Sequence, residues 1–306
     1  MRVKILAFGI VFTILNLLIT ISEENQIIIF AFTIILTGIP HGSLDFYLAK
    51  ENQIANNRRF SPTKFYINYL LNMLLFAILW YFFPYFSVLI FLLISAFHFG
   101  EIDFVNKGKA QVSWYFSSGY GLFIILYILG SHLENSLQIL SYLIPDFSIS
   151  AESILLIKSV IKWMTIIFFA TTVAFNISKK SISLDSKLFI FFINQTFCIL
   201  LIINLLPFYL AFAFYFGVWH SLLSFEAILQ SLKLESDTDG LKTLILKAIP
   251  FSVVSLIGLL IVIYFGYNGH NIPQIVSLLF VGIAVLTLPH FQVFSKALNN
   301  NHTKRF

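Results

Sequence analysis

Long apolar runs separated by short polar breaks fill almost the whole chain. Runs able to cross about 30 Å of hydrocarbon need about 20 residues each. They can be placed ten times, at about 3 to 22, 27 to 49, 64 to 83, 85 to 105, 113 to 130, 154 to 177, 187 to 206, 208 to 231, 246 to 267 and 273 to 296. Pro84 and Pro207 mark two very short turns, because proline ends a helix at the residue before it. The pattern predicts an all-α fold, a polytopic transmembrane helix bundle of about ten spans. No soluble domain, extended linker or low-complexity tract interrupts the runs, and the polar segment LESDTDGLK reads as an ordinary loop, so residues 1–306 are expected to form one integral membrane domain. Within it, 1–25 is an additional N-terminal helix and 27–296 is the core.

Composition agrees with that reading. Of 306 residues, 58% are hydrophobic and 11% charged, and the mean hydropathy of +0.89 is more than one soluble core could hide. The expected location is the cell membrane, multi-pass, with membrane lipids as neighbours. The net charge of +5 reports loop placement rather than an acidic partner, since cytoplasmic loops collect Lys and Arg. If ten spans alternate, 17 of the 19 basic residues fall on one side, from Arg2 and Lys4 through Arg58, Arg59, Lys107, Lys109, Lys179, Lys180 and Lys187 to Lys304 and Arg305. The two exceptions, Lys158 and Lys162, lie near the outer end of span six, where their stems can snorkel. Glu23, Glu24, Glu134, Asp146 and Glu152 occupy the opposite loops, so both termini are expected to be cytoplasmic. The first span has the basic start of a signal peptide but no small-x-small cleavage site, and is expected to stay as a helix. No basic tract supports nucleic-acid binding, and the lone Cys198 rules out a disulfide framework and a thiolate metal site.

The histidines carry the chemistry. His132, His270 and His302 fall in loops or at the terminus, whereas His41, His98, His220 and His290 fall inside spans two, four, eight and ten. Those spans are all even-numbered and so run in one direction. Each histidine comes some 12 to 17 residues after its span begins, roughly 18 to 26 Å down at 1.5 Å per residue. Ionisable groups at membrane depth are costly and face a bundle interior or a cavity. Four imidazoles in one layer therefore suggest a shared ligand, and an all-nitrogen set with open positions suits iron, copper or zinc. Asp45, four residues after His41 on the same face, and Glu101 and Asp103 after His98 are candidates to accept the second N–H of a metal-bound imidazole. The competing reading leaves these acids wet at the cytoplasmic interface. Pro40 and Pro289 directly precede His41 and His290 and should bend both helices. The aromatic run Phe212, Phe214, Tyr215, Phe216 and Trp219 beside His220 either lines a substrate path or packs against neighbours and lipid.

Four ordered stretches, GIPHGSLD (38 to 45), ISAFHFGEID (94 to 103), FYFGVWHS (214 to 221) and LTLPH (286 to 290), resemble the motifs of the Brp/Blh family of membrane β-carotene 15,15'-dioxygenases. The resemblance extends from about residue 30 to 295. It implies an Fe(2+) enzyme that uses dioxygen to split β-carotene, taken from the bilayer, at its central double bond into two retinals. It also implies a functional link to a retinal-binding rhodopsin. By it, His41, His98 and His220 match family ligands, and His290 matches a later Pro-His motif that could complete a four-nitrogen set. Phe216, Trp219 and Phe99 become candidates for a substrate tunnel. The family pattern places another histidine four residues after His220, where this chain has Ser224, and an acid five residues after His290, where it has Ser295.

Other classes fit less well. A bis-histidine haem protein needs opposed axial pairs, and a membrane di-iron desaturase needs clustered histidine boxes. A histidine-lined transporter would show internal repeat symmetry, of which ILTGIPH and VLTLPH are only a faint echo. A non-catalytic metal- or pigment-binding relative is the remaining alternative.

Overall fold

A computed structural model describes residues 1–104, 114–144, 146–177, 184–235, 237–266 and 272–303. Lys107, Lys109, Lys179, Lys180, Lys304, Arg305 and His270, which enter the loop pattern above, lie outside the described residues, as do the side chains of Lys187 and His302. Of the described residues 89% are helical, and none of them is in a strand. The helices are α1 (Arg2–Leu18), α2 (Glu23–Ala55), α3 (Pro62–Phe82), α4 (Pro84–Phe104), α5 (Trp114–Ser131), α6 (Leu133–Leu143), α7 (Ala151–Ile177), α8 (Leu184–Leu205), α9 (Phe208–Ser231), α10 (Thr238–Gly266) and α11 (Ile272–Thr303).

Eight stretches, within α2 to α5, α7 and α9 to α11, are long and apolar enough to cross a membrane by length and composition. The expected first span is shorter: α1 stops at Leu18, where Ile19 turns to extended backbone. α8 covers the expected seventh span, running from Leu184 to Leu205, with side chains described from Ile190 onward. α9 is the central rod, with 72% of its apolar window buried, and α7 lies at the rim with Leu155, Leu156, Trp163 and Ile167 exposed. Lys158 on α7 does more than snorkel: it pairs with Glu134 on α6 at 2.8 Å.

Two π-helical stretches interrupt the bundle where histidines sit. Ile34–Gly38 in α2 precedes His41, and Ala213–His220 in α9 ends on His220. Pro40 has no N–H to close an α turn on the carbonyl four residues back, and a wider turn in front of it accommodates that loss. The stretches pack against each other at Gly217. A Cβ there would run into the Thr33 side chain, and Thr37 Oγ1 lies 2.6 Å from the Gly217 carbonyl.

His98 is fixed by an unusually close crossing of α4 and α5. A Cβ on Gly100 would overlap the Ser117 carbonyl, and one on Gly121 would overlap that of Ala96. Backbone against backbone cannot yield as a side-chain tip can. Gly121→Ala should therefore cost about 2 kcal/mol or more by overpacking, read as a lower unfolding midpoint in detergent.

Candidate metal centre

The bundle gathers the four intramembrane histidines into a square. Ring centroids are 5.1 Å apart for His41 and His290, 4.9 Å for His290 and His98, 4.8 Å for His98 and His220, and 5.4 Å for His220 and His41. All four are buried. His41, His98 and His290 present ring nitrogens within 4.8 Å of one another, a group that could hold a metal ion.

Hydrogen bonds decide which nitrogen of two rings is free. His290 Nδ1 lies 2.8 Å from Asp45 Oδ1, and the other Asp45 oxygen accepts from the Tyr69 hydroxyl at 2.8 Å. A carboxylate only accepts, so Nδ1 carries the proton and a neutral His290 keeps its lone pair on Nε2. His41 Nδ1 lies 3.1 Å from the Thr37 carbonyl, which by the same reasoning leaves Nε2 as the lone-pair nitrogen. Both His98 ring nitrogens, His220 Nε2 and His290 Nε2 are buried with no hydrogen-bond partner. Each such atom costs about 1 to 3 kcal/mol when left unmade. A neutral His98 keeps a proton on one of its two nitrogens, so three of these atoms, one on each of three rings, can be lone-pair donors together. They favour a shared electron-pair acceptor, and neutral imidazole nitrogen is a ligand for iron, copper and zinc alike.

The acids stand differently from expectation. Asp45 serves His290 across the bundle rather than His41 on its own helix. The helix breaks at Ser43 and Leu44, where Leu44 has ψ near 0, so four-residue spacing no longer sets the face. Asp103 is not at the square and is not wet. Its buried carboxylate accepts from the Trp219 indole N–H at 2.6 Å and the Tyr215 hydroxyl at 3.1 Å, with Arg2 of α1 4.0 Å away. Trp219 is thereby committed to Asp103 and leaves the candidate tunnel wall. Glu101 accepts from Ser295 at 3.1 Å, so Ser295 bonds an acid where the family pattern carries one. Ser224 is fully buried and returns its hydroxyl to the His220 carbonyl, 2.9 Å away, in its own helix. Of the residues missed in the sequence, Thr37 was findable as the position one turn before His41. Tyr69 was not, since one tyrosine in an apolar span carries no signal.

Three cavities adjoin at the histidines. The chamber they line has a volume of about 60 Å³ and also touches Phe99, Phe216 and Tyr69. Through Ile34, Ser95, Phe99, Phe216 and Ile283 it shares walls with an enclosed apolar pocket of about 130 Å³, none of whose lining residues is exposed. Through Gly42, Tyr69, Ser255 and Leu286 it shares walls with a cleft of about 990 Å³ bounded by α3, α10 and α11.

Sequence comparison finds relatives of this chain. The sequence model described as beta-carotene 15,15'-dioxygenase matches residues 32–297. A protein named beta-carotene 15,15'-dioxygenase from uncultured marine bacterium 66A03 is 28% identical over 264 residues, covering 84% of this chain and 88% of that protein. No solved structure matches.

Proposed function

The chain belongs to the β-carotene 15,15'-dioxygenase family, and from that premise we propose that it cleaves β-carotene or a near relative at the central double bond to give retinal. The family and the named relative support carotenoid cleavage to retinal in general terms. The finer reading, in which Fe(2+) held by His41, His98, His220 and His290 is the cofactor and dioxygen the oxidant, rests on one observation. That observation is the buried square of imidazoles with unpaired nitrogens, walled by hydrocarbon.

The donor set suits ferrous iron: neutral nitrogens, no thiolate, and one carboxylate, Asp45, held a hydrogen bond away from a donor ring. When bound, iron would supply the activation of dioxygen that an isolated alkene lacks. The C=C bond breaks, each of its carbons gains one oxygen atom, and two aldehydes result, so atoms balance with no reductant. The chain's own groups position the site. Asp45, held by Tyr69, fixes the tautomer and direction of His290, and the Thr37 carbonyl does so for His41. Phe99, 4.4 Å from the His220 ring, and Phe216 at 5.9 Å give the polyene an aromatic wall and exclude water. In this reading residues 27–296 are the catalytic core, 1–25 add a supporting helix, and the protein is a multi-pass component of the cell membrane with both termini cytoplasmic.

The test is expression in a bacterial host that makes β-carotene, with retinal measured by chromatography and metal measured on the purified protein. Retinal accumulating as carotene falls, with iron bound, is the expected outcome. Intact carotene beside a metal-loaded protein would favour a transporter or a non-catalytic relative.

A further inference from the structure

An apolar substrate dissolved in the bilayer must reach a chamber buried at the centre of the bundle. The apolar pocket is lined by buried and half-buried side chains. The cleft differs. Its rim carries exposed side chains on both flanks, Leu70, Ala77 and Tyr81 from α3 and Val254 and Val262 from α10, while its inner end is built from Gly42, Tyr69, Ser255 and Leu286, which also line the histidine chamber. From Phe65 to Tyr81 its α3 wall is 17 residues, a rise of about 24 Å. That is most of the ~30 Å thickness of a bilayer core, so the cleft lies open to acyl chains along its length. At its end toward the α3 N-terminus, Phe46 stacks on Tyr66 and on Phe251, the latter with ring centroids 5.7 Å apart, and meets Phe65 edge-on.

We propose that this cleft is the lateral channel through which the carotenoid passes from lipid to the histidines, and that Gly258 sets its width. The proposal rests on the carotenoid reading above. Gly258 lies in the wall on α10, and a Cβ built there meets nothing within 4 Å. The backbone is thus bare over open space where a side chain would project into the channel. The polyene lies along the α3–α10 gap with one part in the cleft, and its leading part passes between Tyr69 and Leu286 toward the enclosed pocket.

The test uses full-length protein in lipid nanodiscs preloaded with β-carotene. Carotene retained by iron-stripped protein is read from its visible absorption, and retinal formation is read from the iron-loaded protein. Gly258→Trp is expected to lower retained carotene and raise KM, each by about tenfold or more, as expected when bulk fills an apolar pocket. Gly258→Ala should behave as wild type, and Leu126→Trp, on the exposed face of α5, serves as the control for added bulk. Gly258→Trp indistinguishable from Leu126→Trp while wild type makes retinal would overturn the channel and leave the dioxygenase reading intact. Retention that is sensitive to Gly258→Trp in a protein that makes no retinal would support the channel and overturn the dioxygenase reading.

Discussion

His98→Ala is expected to eliminate retinal formation and bound iron together. Neither ring nitrogen of His98 is engaged by protein, and its ring lies within 5 Å of both His220 and His290. Its removal takes away a ligand and leaves no neighbour to replace it. The fold should survive, because Phe99, Phe294 and Phe291 surround the vacated space, and loss of a buried side chain costs about 2 to 5 kcal/mol. Metal analysis on protein that still elutes as one folded species separates this from unfolding. His132→Ala is the control: that ring bonds the Ile203 carbonyl at 3.0 Å, away from the square, and both iron and activity should remain. Ser224→His should add nothing, since His290 already closes the square. Activity that appears only with Ser224→His would mean instead that this chain lacks a ligand.

Asp45→Ala should weaken iron binding by about 10- to 100-fold, the usual range when the hydrogen-bond partner of a metal-bound imidazole is lost. The His290 ring would lose its only fixed contact at Nδ1, and the Tyr69 hydroxyl would be left buried without its acceptor. Tyr69→Phe keeps the carboxylate beside His290 and should produce a smaller loss in the same direction. Titration of iron into the apo variants orders the three proteins. Equal affinities would show that Asp45 only packs.

The gathering of His41, His98, His220 and His290 was legible because each falls some 12 to 17 residues into its apolar run, and a helix rise of 1.5 Å per residue converts that into height. Height alone does not give azimuth. Asp45 was placed on the face of His41 by four-residue spacing, but the turn at Ser43 and Leu44 rotates it toward His290. Asp103 was placed near His98, yet Arg2, Tyr215 and Trp219 claim it, a network joining residues more than 100 positions apart that local pattern cannot see. The apolar spans were read from length alone, which is why α1, ending at Leu18, comes out shorter than its run suggested. Hydropathy marks where hydrocarbon side chains continue, whereas the helix stops where backbone geometry changes.

The two widened turns at Ile34–Gly38 and Ala213–His220 have a bearing on angular phase. A π turn takes up a surplus residue relative to an α turn, and in an α-helix one residue is 100° of rotation. Were either segment drawn back to ordinary pitch, everything after it would swing by that angle, and His41 or His220 would point elsewhere than at its three companions. The convergence of the imidazoles is thus an outcome of irregular backbone as much as of residue identity, and an insertion or loss of one residue upstream of either ring would disperse them with every histidine still in the sequence.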